Sequence, residues 1–129
     1  MKKILLSLLL LSAGSVMAYT GTCNGGFTLT GKQNGHVYCV SAAVMNWWSA
    51  LAWCQSQNSQ LADFSVICPN SSMTNTTGAC SNMQHGMSGQ GGWTSSTNNG
   101  SDAVNISLNT GAVNWGNYHR TDQNHAICE

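Results

Sequence analysis

Six cysteines are the side chains with the most definite chemistry in this 129-residue sequence. An even number of cysteines in a small exported domain predicts disulfides, although six cysteines allow fifteen pairings and their spacing alone does not choose between them. Two of them have informative settings. Cys54 ends an aromatic-rich run that begins at Met45, and Cys128 lies in the closing Ala126-Ile127-Cys128-Glu129. The six are Cys23, Cys39, Cys54, Cys68, Cys80 and Cys128.

Catalytic and metal-binding patterns are weak in this sequence. Its histidines lack the i, i+4 spacing of a helical zinc site, and the cysteines are better used as disulfides than as metal ligands. No Gly-x-Ser-x-Gly nucleophile elbow occurs, and serine, histidine and aspartate are present in every domain of this size. We therefore predict no enzymatic activity, no cofactor and no metal site. The histidines are His36, His85, His119 and His125.

One stretch, from Trp115 to His125, has the residue types of a binding surface. Aromatic and guanidinium side chains are enriched at binding hot spots, and amides hydrogen-bond neutral polar ligands. The alternative is that Trp115 belongs to the core and the others are ordinary loop residues. The predicted ligand-binding residues are Trp115, Asn117, Tyr118, His119, Arg120, Asp122, Asn124 and His125.

The first 18 residues predict a signal peptide. They combine a basic start, an apolar run from Ile4 to Leu11, and a small-residue cleavage site ending at Ala18. The apolar run is too short for a bilayer span, which needs roughly 20 residues. The mature domain is expected to cover 19–129 and to be secreted, periplasmic or on the cell surface.

Charge is scarce in the predicted mature domain. Two basic residues, Lys32 and Arg120, oppose four acidic ones, which gives a net charge near minus two. The absence of a basic run argues against nucleic acid and anionic membranes as partners. The polar residues are mostly Asn, Ser, Thr, Gln and Gly, which suit neutral ligands such as sugars or peptide backbone but are also common in loops.

A helix is predicted immediately after Asn46, a favourable N-cap residue. Within this helix, apolar residues recur at the three- and four-residue spacing of one helix face, namely Trp47, Ala50, Leu51 and Cys54. Before the helix, the sequence 35–40 predicts a strand that pairs in a hairpin whose turn lies near 31–35.

The second half predicts a long irregular loop followed by short strands, and hence an α+β fold. The segment 69–92 has no apolar period, and such a long loop is uncommon unless it is functional or held down. A strand is predicted to start at Trp93, 103–108 alternates apolar with polar residues, 109–111 supplies a turn, and 125–128 forms a last strand.

The order of these features resembles the C-type lectin-like domain over essentially all of the mature chain. The matching features are the aromatic helix with Cys54, Leu61-Ala62 after it, the long loop, the tryptophan strand and the terminal Ile127-Cys128-Glu129. The resemblance implies an N-terminal hairpin and helix followed by a long loop and short antiparallel strands. It also implies disulfides Cys54–Cys128 and Cys23–Cys39, which leaves Cys68 with Cys80.

The chain departs from the sugar-binding members of this family where they bind calcium. Those members use a Glu-Pro-Asn or Gln-Pro-Asp triplet and a Trp-Asn-Asp triplet, because calcium needs several carboxylate and amide oxygens. This chain has neither, since Trp115-Gly116-Asn117 stands in place of the second, and Arg120 falls where the family usually has its fourth core cysteine. The resemblance therefore implies a scaffold for another ligand.

Ligands of this family meet the long loop and the strands beside it, which correspond here to 89–92 and 115–125. The resemblance implies a secreted or cell-surface recognition protein for a protein or glycan ligand. The alternative is a structural or accessory subunit of a bacterial surface assembly such as a pilus. Because Asn, Tyr, His and Asp share NAY codons, 115–125 also resembles the variable segment of retroelement-diversified bacterial receptors, with chance composition as the alternative.

Overall fold

A computed structural model describes 27–33, 36–68, 77–85, 89, 91–97, 99–114 and 118–129. The predicted signal peptide, Cys23, Trp115, Asn117 and much of the predicted long loop lie outside the described residues. Within these ranges no helix has the length and apolar character needed to cross a membrane. The elements are β1 Phe27–Gln33, β2 His36–Met45, α1 Trp47–Ser56, α2 Phe64–Ile67, a 3-10 turn Ser81–Met83, β3 Gly92–Thr97, β4 Ala103–Ile106, β5 Val113–Asn114 and β6 Asn124–Cys128.

The described strands form one six-stranded sheet in the order β1-β2-β6-β3-β4-β5. Strand β2 runs antiparallel to β6, with Cys39 opposite Cys128, so an early strand lies beside the last one. Strand β3 runs parallel to β6, with Gly92 opposite His125. The α+β class and the β1–β2 hairpin are confirmed, whereas the sheet is mixed and not antiparallel throughout.

Helix α1 begins where the sequence predicts it. The Asn46 side chain accepts a hydrogen bond from the backbone N–H of Ser49 at 2.9 Å, which satisfies one of the free donors of the first turn. Trp47, Ala50 and Cys54 are buried on the face that packs against β6 and β3. The predicted N-cap and buried face are thereby confirmed.

Buried side chains gather in two clusters that contact the sheet. The larger cluster packs α2, the 3-10 turn and strands β2, β4, β5 and β6 together, whereas the smaller one lies beneath α1. Trp93 of β3 belongs to the smaller cluster and is fully buried. The smaller cluster consists of Trp47, Ala50, Cys54, Leu61, Trp93, Ala103, Ala126 and Cys128.

Two disulfides join described cysteines. Cys54–Cys128 links α1 to β6 across 74 residues of sequence, and Cys68–Cys80 closes a segment of 12 residues. Both pairings are confirmed. Cys39 is also disulfide-bonded, while its expected partner Cys23 lies outside the described residues.

The Tyr38 hydroxyl gives the domain a pH dependence in alkaline solution. Burial, helped by the negative charge of Glu129, raises the pKa of Tyr38 to about 12. Because an unfolded tyrosine loses its proton near pH 10, the folded state is favoured below that pH and this stabilisation is lost as pH rises through 12. We expect the free energy of unfolding to fall between pH 10 and pH 12.

Urea denaturation at several pH values would measure this fall, with tyrosinate absorbance recorded in parallel. The matched control is Tyr38→Phe, which keeps the ring and removes the ionisable group. Between pH 10 and 12 the variant should lose less stability than the parent. Parallel stability curves for the two proteins would contradict the prediction.

Candidate binding surface

The described part of the predicted binding stretch divides into an exposed turn and a buried strand. Residues 118–123 form the turn, and 124 begins β6. The backbone N–H of His119 donates to the Asp122 carboxylate at 3.0 Å, and the backbone N–H of Asp122 donates to the His119 carbonyl at 2.9 Å. These reciprocal bonds fix the shape of the turn.

His119 is an exposed residue of the turn. Its side chain is 67% exposed, and Nδ1 lies 2.8 Å from Oδ1 of Asp102. Asp102 is buried, and the Asn99 amide donates to its other oxygen at 3.2 Å. The carboxylate orients the imidazole and leaves Nε2 as the ring nitrogen that a ligand can reach.

Arg120 attaches the turn to the first residue of α1. Its guanidinium carbon lies 4.5 Å from the centroid of the Trp47 ring, a cation–π arrangement. Nη2 donates to the Asn99 carbonyl at 2.6 Å. The backbone adds two bonds, since Trp47 N donates to Arg120 O and Arg120 N donates to Ser101 O, both at 2.9 Å. Arg120 therefore holds three segments together.

Tyr118 is half-buried and packs against the smaller core cluster. Its carbonyl accepts a hydrogen bond from Ala103 N at 3.1 Å, which joins the turn to β4. Tyr118 and Arg120 thus contact the core as well as the surface. Substituting either one would change the packing of the smaller core cluster together with any contact to a ligand.

Trp48 is an exposed aromatic residue that the sequence analysis missed. It is 49% exposed, and its ring meets that of Trp47 edge to face with centroids 6.0 Å apart. The signal was present in the sequence. Successive helix residues point about 100° apart, so a helix that buries Trp47 must turn Trp48 toward solvent.

Asn124 and His125 were predicted to bind a ligand, and the structure places both inside the sheet. Asn124 is 2% exposed, and its side-chain oxygen accepts from Gly91 N at 3.0 Å. His125 is 9% exposed, with Nδ1 2.7 Å from the Ser41 carbonyl. Their side chains bond to the protein's own backbone in this conformation, so we assign them to the packing of β6.

The two glycines at the start of β3 are tightly packed. Of the segment 89–92, which was expected to face a ligand, Gly89 is exposed, whereas Gly91 and Gly92 are buried. A Cβ at Gly91 would lie 2.6 Å from the Ile106 carbonyl oxygen, and one at Gly92 would lie 2.5 Å from Ile127 Cδ1. The backbone here needs glycine for close approach to β4 and β6.

Exposed side chains beside Trp47 form a surface, which we name the turn surface. It lies around Trp47, whose ring contacts both Trp48 and Arg120. No group of three or more metal-ligating side chains lies within the described ranges. The turn surface consists of Trp48, Tyr118, His119, Arg120 and Asp122.

Comparison with known proteins gives no relative. The chain matches no family model, and neither a curated protein nor a solved structure shows significant similarity to it. The fold and the turn surface are therefore the observations on which a function can be based.

Proposed function

We propose that the chain is a secreted or cell-surface recognition protein that binds a protein or glycan ligand through the turn surface. The observation that carries this proposal is the half-exposed Trp48 beside a turn that hydrogen bonds hold in place. Aromatic and arginine side chains are enriched at binding hot spots. A surface that is ordered before binding also loses less conformational entropy when the ligand arrives.

The same proposal includes a C-type lectin-like fold for the domain. The Cys54–Cys128 disulfide between α1 and β6 supports it, because the resemblance implies that pairing. The disulfides are compatible with an oxidising, extracytoplasmic location. Because the calcium-binding triplets are absent from the sequence, we propose a ligand contact that does not depend on calcium.

A structural or accessory subunit of a surface assembly is the second candidate. Val44 is 37% exposed and Trp48 49%, and exposed apolar side chains are also found where neighbouring subunits pack. Light scattering of the purified chain after size-exclusion chromatography separates the two functions. Concentration-dependent oligomers that Trp48→Ala abolishes would favour assembly, whereas a monomer that retains ligand binding favours recognition.

The turn surface can be tested with Trp48→Ala and His119→Ala. After a glycan array and a bacterial surface-protein extract have supplied a ligand, each variant should weaken its binding by about 1 to 3 kcal/mol, because exposed hot-spot side chains act at the interface. Each should keep its free energy of unfolding within about 1 kcal/mol of the parent, since Trp48 is half-exposed, His119 is 67% exposed, and Asp102 keeps its hydrogen bond from Asn99 when His119 is removed. Calorimetric titration and urea denaturation measure the two quantities.

Asn109→Ala is the matched control for this test, because Asn109 is exposed on the turn between β4 and β5 and lies outside the turn surface. It should bind the ligand as the parent does. Parent-like binding by both Trp48→Ala and His119→Ala would show that the ligand site lies elsewhere.

A further inference from the structure

The loop between β3 and β4 is organised around the side chain of Asn99. Its Oδ1 accepts hydrogen bonds from Ser101 N at 2.8 Å, from Asp102 N at 2.9 Å and from the Ser101 hydroxyl at 3.0 Å. Its Nδ2 donates to Oδ2 of Asp102 at 3.2 Å. Its backbone carbonyl accepts from Nη2 of Arg120 at 2.6 Å. Asn99 therefore contacts both Arg120 and the carboxylate that orients His119.

The residue after Asn99 is Gly100, and both are exposed. A Cβ added at Gly100 would have no heavy atom within 4 Å in the part of the chain that the structure describes. Because glycine has no side chain, nothing at this position shields its peptide nitrogen from the side-chain amide of the preceding asparagine. This sequence and its exposure allow the chain to react with itself.

We propose that Asn99 is a site of spontaneous deamidation in the folded protein, with the Gly100 nitrogen as nucleophile, and that this conversion alters the turn surface. The effect on ligand binding rests on the proposed function of the turn surface. The conversion itself, and its effect on His119 and Arg120, do not.

The reaction needs only water as a co-reactant. Gly100 N loses its proton to hydroxide and attacks Cγ of Asn99, which forms a C–N bond and a five-membered succinimide ring. The bond between Cγ and Nδ2 breaks, and the nitrogen leaves as ammonia after it takes a proton from water. Water then opens the ring at either carbonyl and gives aspartate or isoaspartate.

The hydrogen bonds to Asn99 Oδ1 favour this attack. When the nitrogen adds to Cγ, negative charge collects on Oδ1. Ser101 N, Asp102 N and the Ser101 hydroxyl already donate to that oxygen. Donors placed in advance at an oxygen that becomes negative stabilise the intermediate, as an oxyanion hole does.

Both products lose the Nδ2 amide that donates to Asp102. In the aspartate product, a second carboxylate faces that of Asp102 across the 3.2 Å that this hydrogen bond now covers, and like charges at that distance repel. Asp102 is buried and holds Nδ1 of His119 at 2.8 Å, so a shift of its carboxylate changes the orientation of the imidazole. Isoaspartate also adds one carbon to the backbone at the residue whose carbonyl accepts from Arg120.

The rate of conversion tests the site directly. The mature domain is kept in mildly alkaline buffer, and proteolytic peptides are followed by tandem mass spectrometry, since Asn-Gly also occurs at 24–25 and 34–35. Asn99 in the folded domain should convert at no less than one tenth of its rate in the reduced domain unfolded in guanidinium chloride. A larger protection by folding would overturn the proposal. Asn109, which is exposed and precedes Thr110, is the internal control and should remain an amide.

Gly100→Ala tests the nucleophile. Gly100 does not adopt the left-handed backbone of Gly78, Gly89 and Gly111, and the added Cβ enters open space, so the variant should fold like the parent. The methyl group shields the peptide nitrogen, and Asn99 should therefore convert at least tenfold more slowly. An unchanged rate would overturn attack by the Gly100 nitrogen.

Asn99→Asp supplies one product without ageing, and Asn109→Asp adds the same charge at an exposed position outside the turn surface. In heteronuclear NMR spectra, the imidazole resonances of His119 should shift in Asn99→Asp and in the aged parent but not in Asn109→Asp. The aged parent should also show a shifted Nε–H resonance of Arg120. Should Asn99→Asp fail to fold, the aged parent carries the test. Unshifted His119 resonances in fully converted protein would overturn the effect on the turn surface, whether or not that surface binds a ligand.

Discussion

Replacing Cys54 and Cys128 together with alanine should lower the free energy of unfolding by about 4 to 5 kcal/mol. The two cysteines are 74 residues apart, so their bond removes a large amount of chain entropy from the unfolded state. Both are fully buried, and their bond ties α1 to the last strand. The expected loss is a large share of the total stability of a small domain, which is about 5 to 15 kcal/mol, and the loss of such a bond from a small exported domain often abolishes folding at 37 °C. Urea denaturation measured by circular dichroism gives the difference.

The matched control is Cys68→Ala with Cys80→Ala, which opens a segment of only 12 residues. The same chain-entropy relation gives a loss of about 3 kcal/mol for this pair. The variant without Cys54 and Cys128 should therefore have the lower free energy of unfolding of the two. The reverse order would show that loop length does not control the contribution of these bonds.

The local features of the fold could be predicted because short-range chemistry determines them. Asn46 caps the first turn of α1 through a bond to Ser49, three residues away. The buried face of that helix follows from the spacing of Trp47, Ala50 and Cys54. These features depend on residues within one or two helical turns, and a sequence shows them directly.

The features that the sequence does not show depend on contacts between distant segments. Asn124 and His125 have the residue types of a binding loop, but β6 lies between β2 and β3, so both side chains meet backbone groups from other strands. The alternation of apolar and polar residues within β3 or β6 likewise does not indicate that the two strands pair in parallel. Arg120 was chosen for its charge, and no sequence pattern links it to Trp47, which is 73 positions earlier in the 129-residue chain.

Trp47 belongs to the smaller core cluster and also contacts two residues of the turn surface, Trp48 and Arg120. Its ring lies under the Arg120 guanidinium on one side and contacts Trp48 on another. Its Nε1 donates to the Thr94 carbonyl at 2.9 Å, which joins α1 to β3. Any change at this position should alter both stability and the shape of the proposed binding surface.

Trp47→Ala should accordingly cost about 3 to 5 kcal/mol of unfolding free energy, the range found when a buried aromatic side chain is removed and leaves a cavity. Trp47 is 8% exposed, and its removal also leaves the Thr94 carbonyl without its indole donor. The folded fraction should bind a turn-surface ligand more weakly, since Arg120 loses the ring on which it lies. Urea denaturation and calorimetric titration measure the two effects.

Trp48→Ala is the matched control, because it also removes a tryptophan side chain from α1 but at a half-exposed position. Trp48 is 49% exposed and meets Trp47 only edge to face, so its loss should cost about 1 kcal/mol of stability, the size of one aromatic contact. The two variants should therefore separate stability from recognition, with Trp47→Ala affecting both and Trp48→Ala mainly the second. Equal losses of stability would contradict the assignment of Trp47 to the core and of Trp48 to the turn surface, because Trp47 is the more buried of the two and also donates to the Thr94 carbonyl.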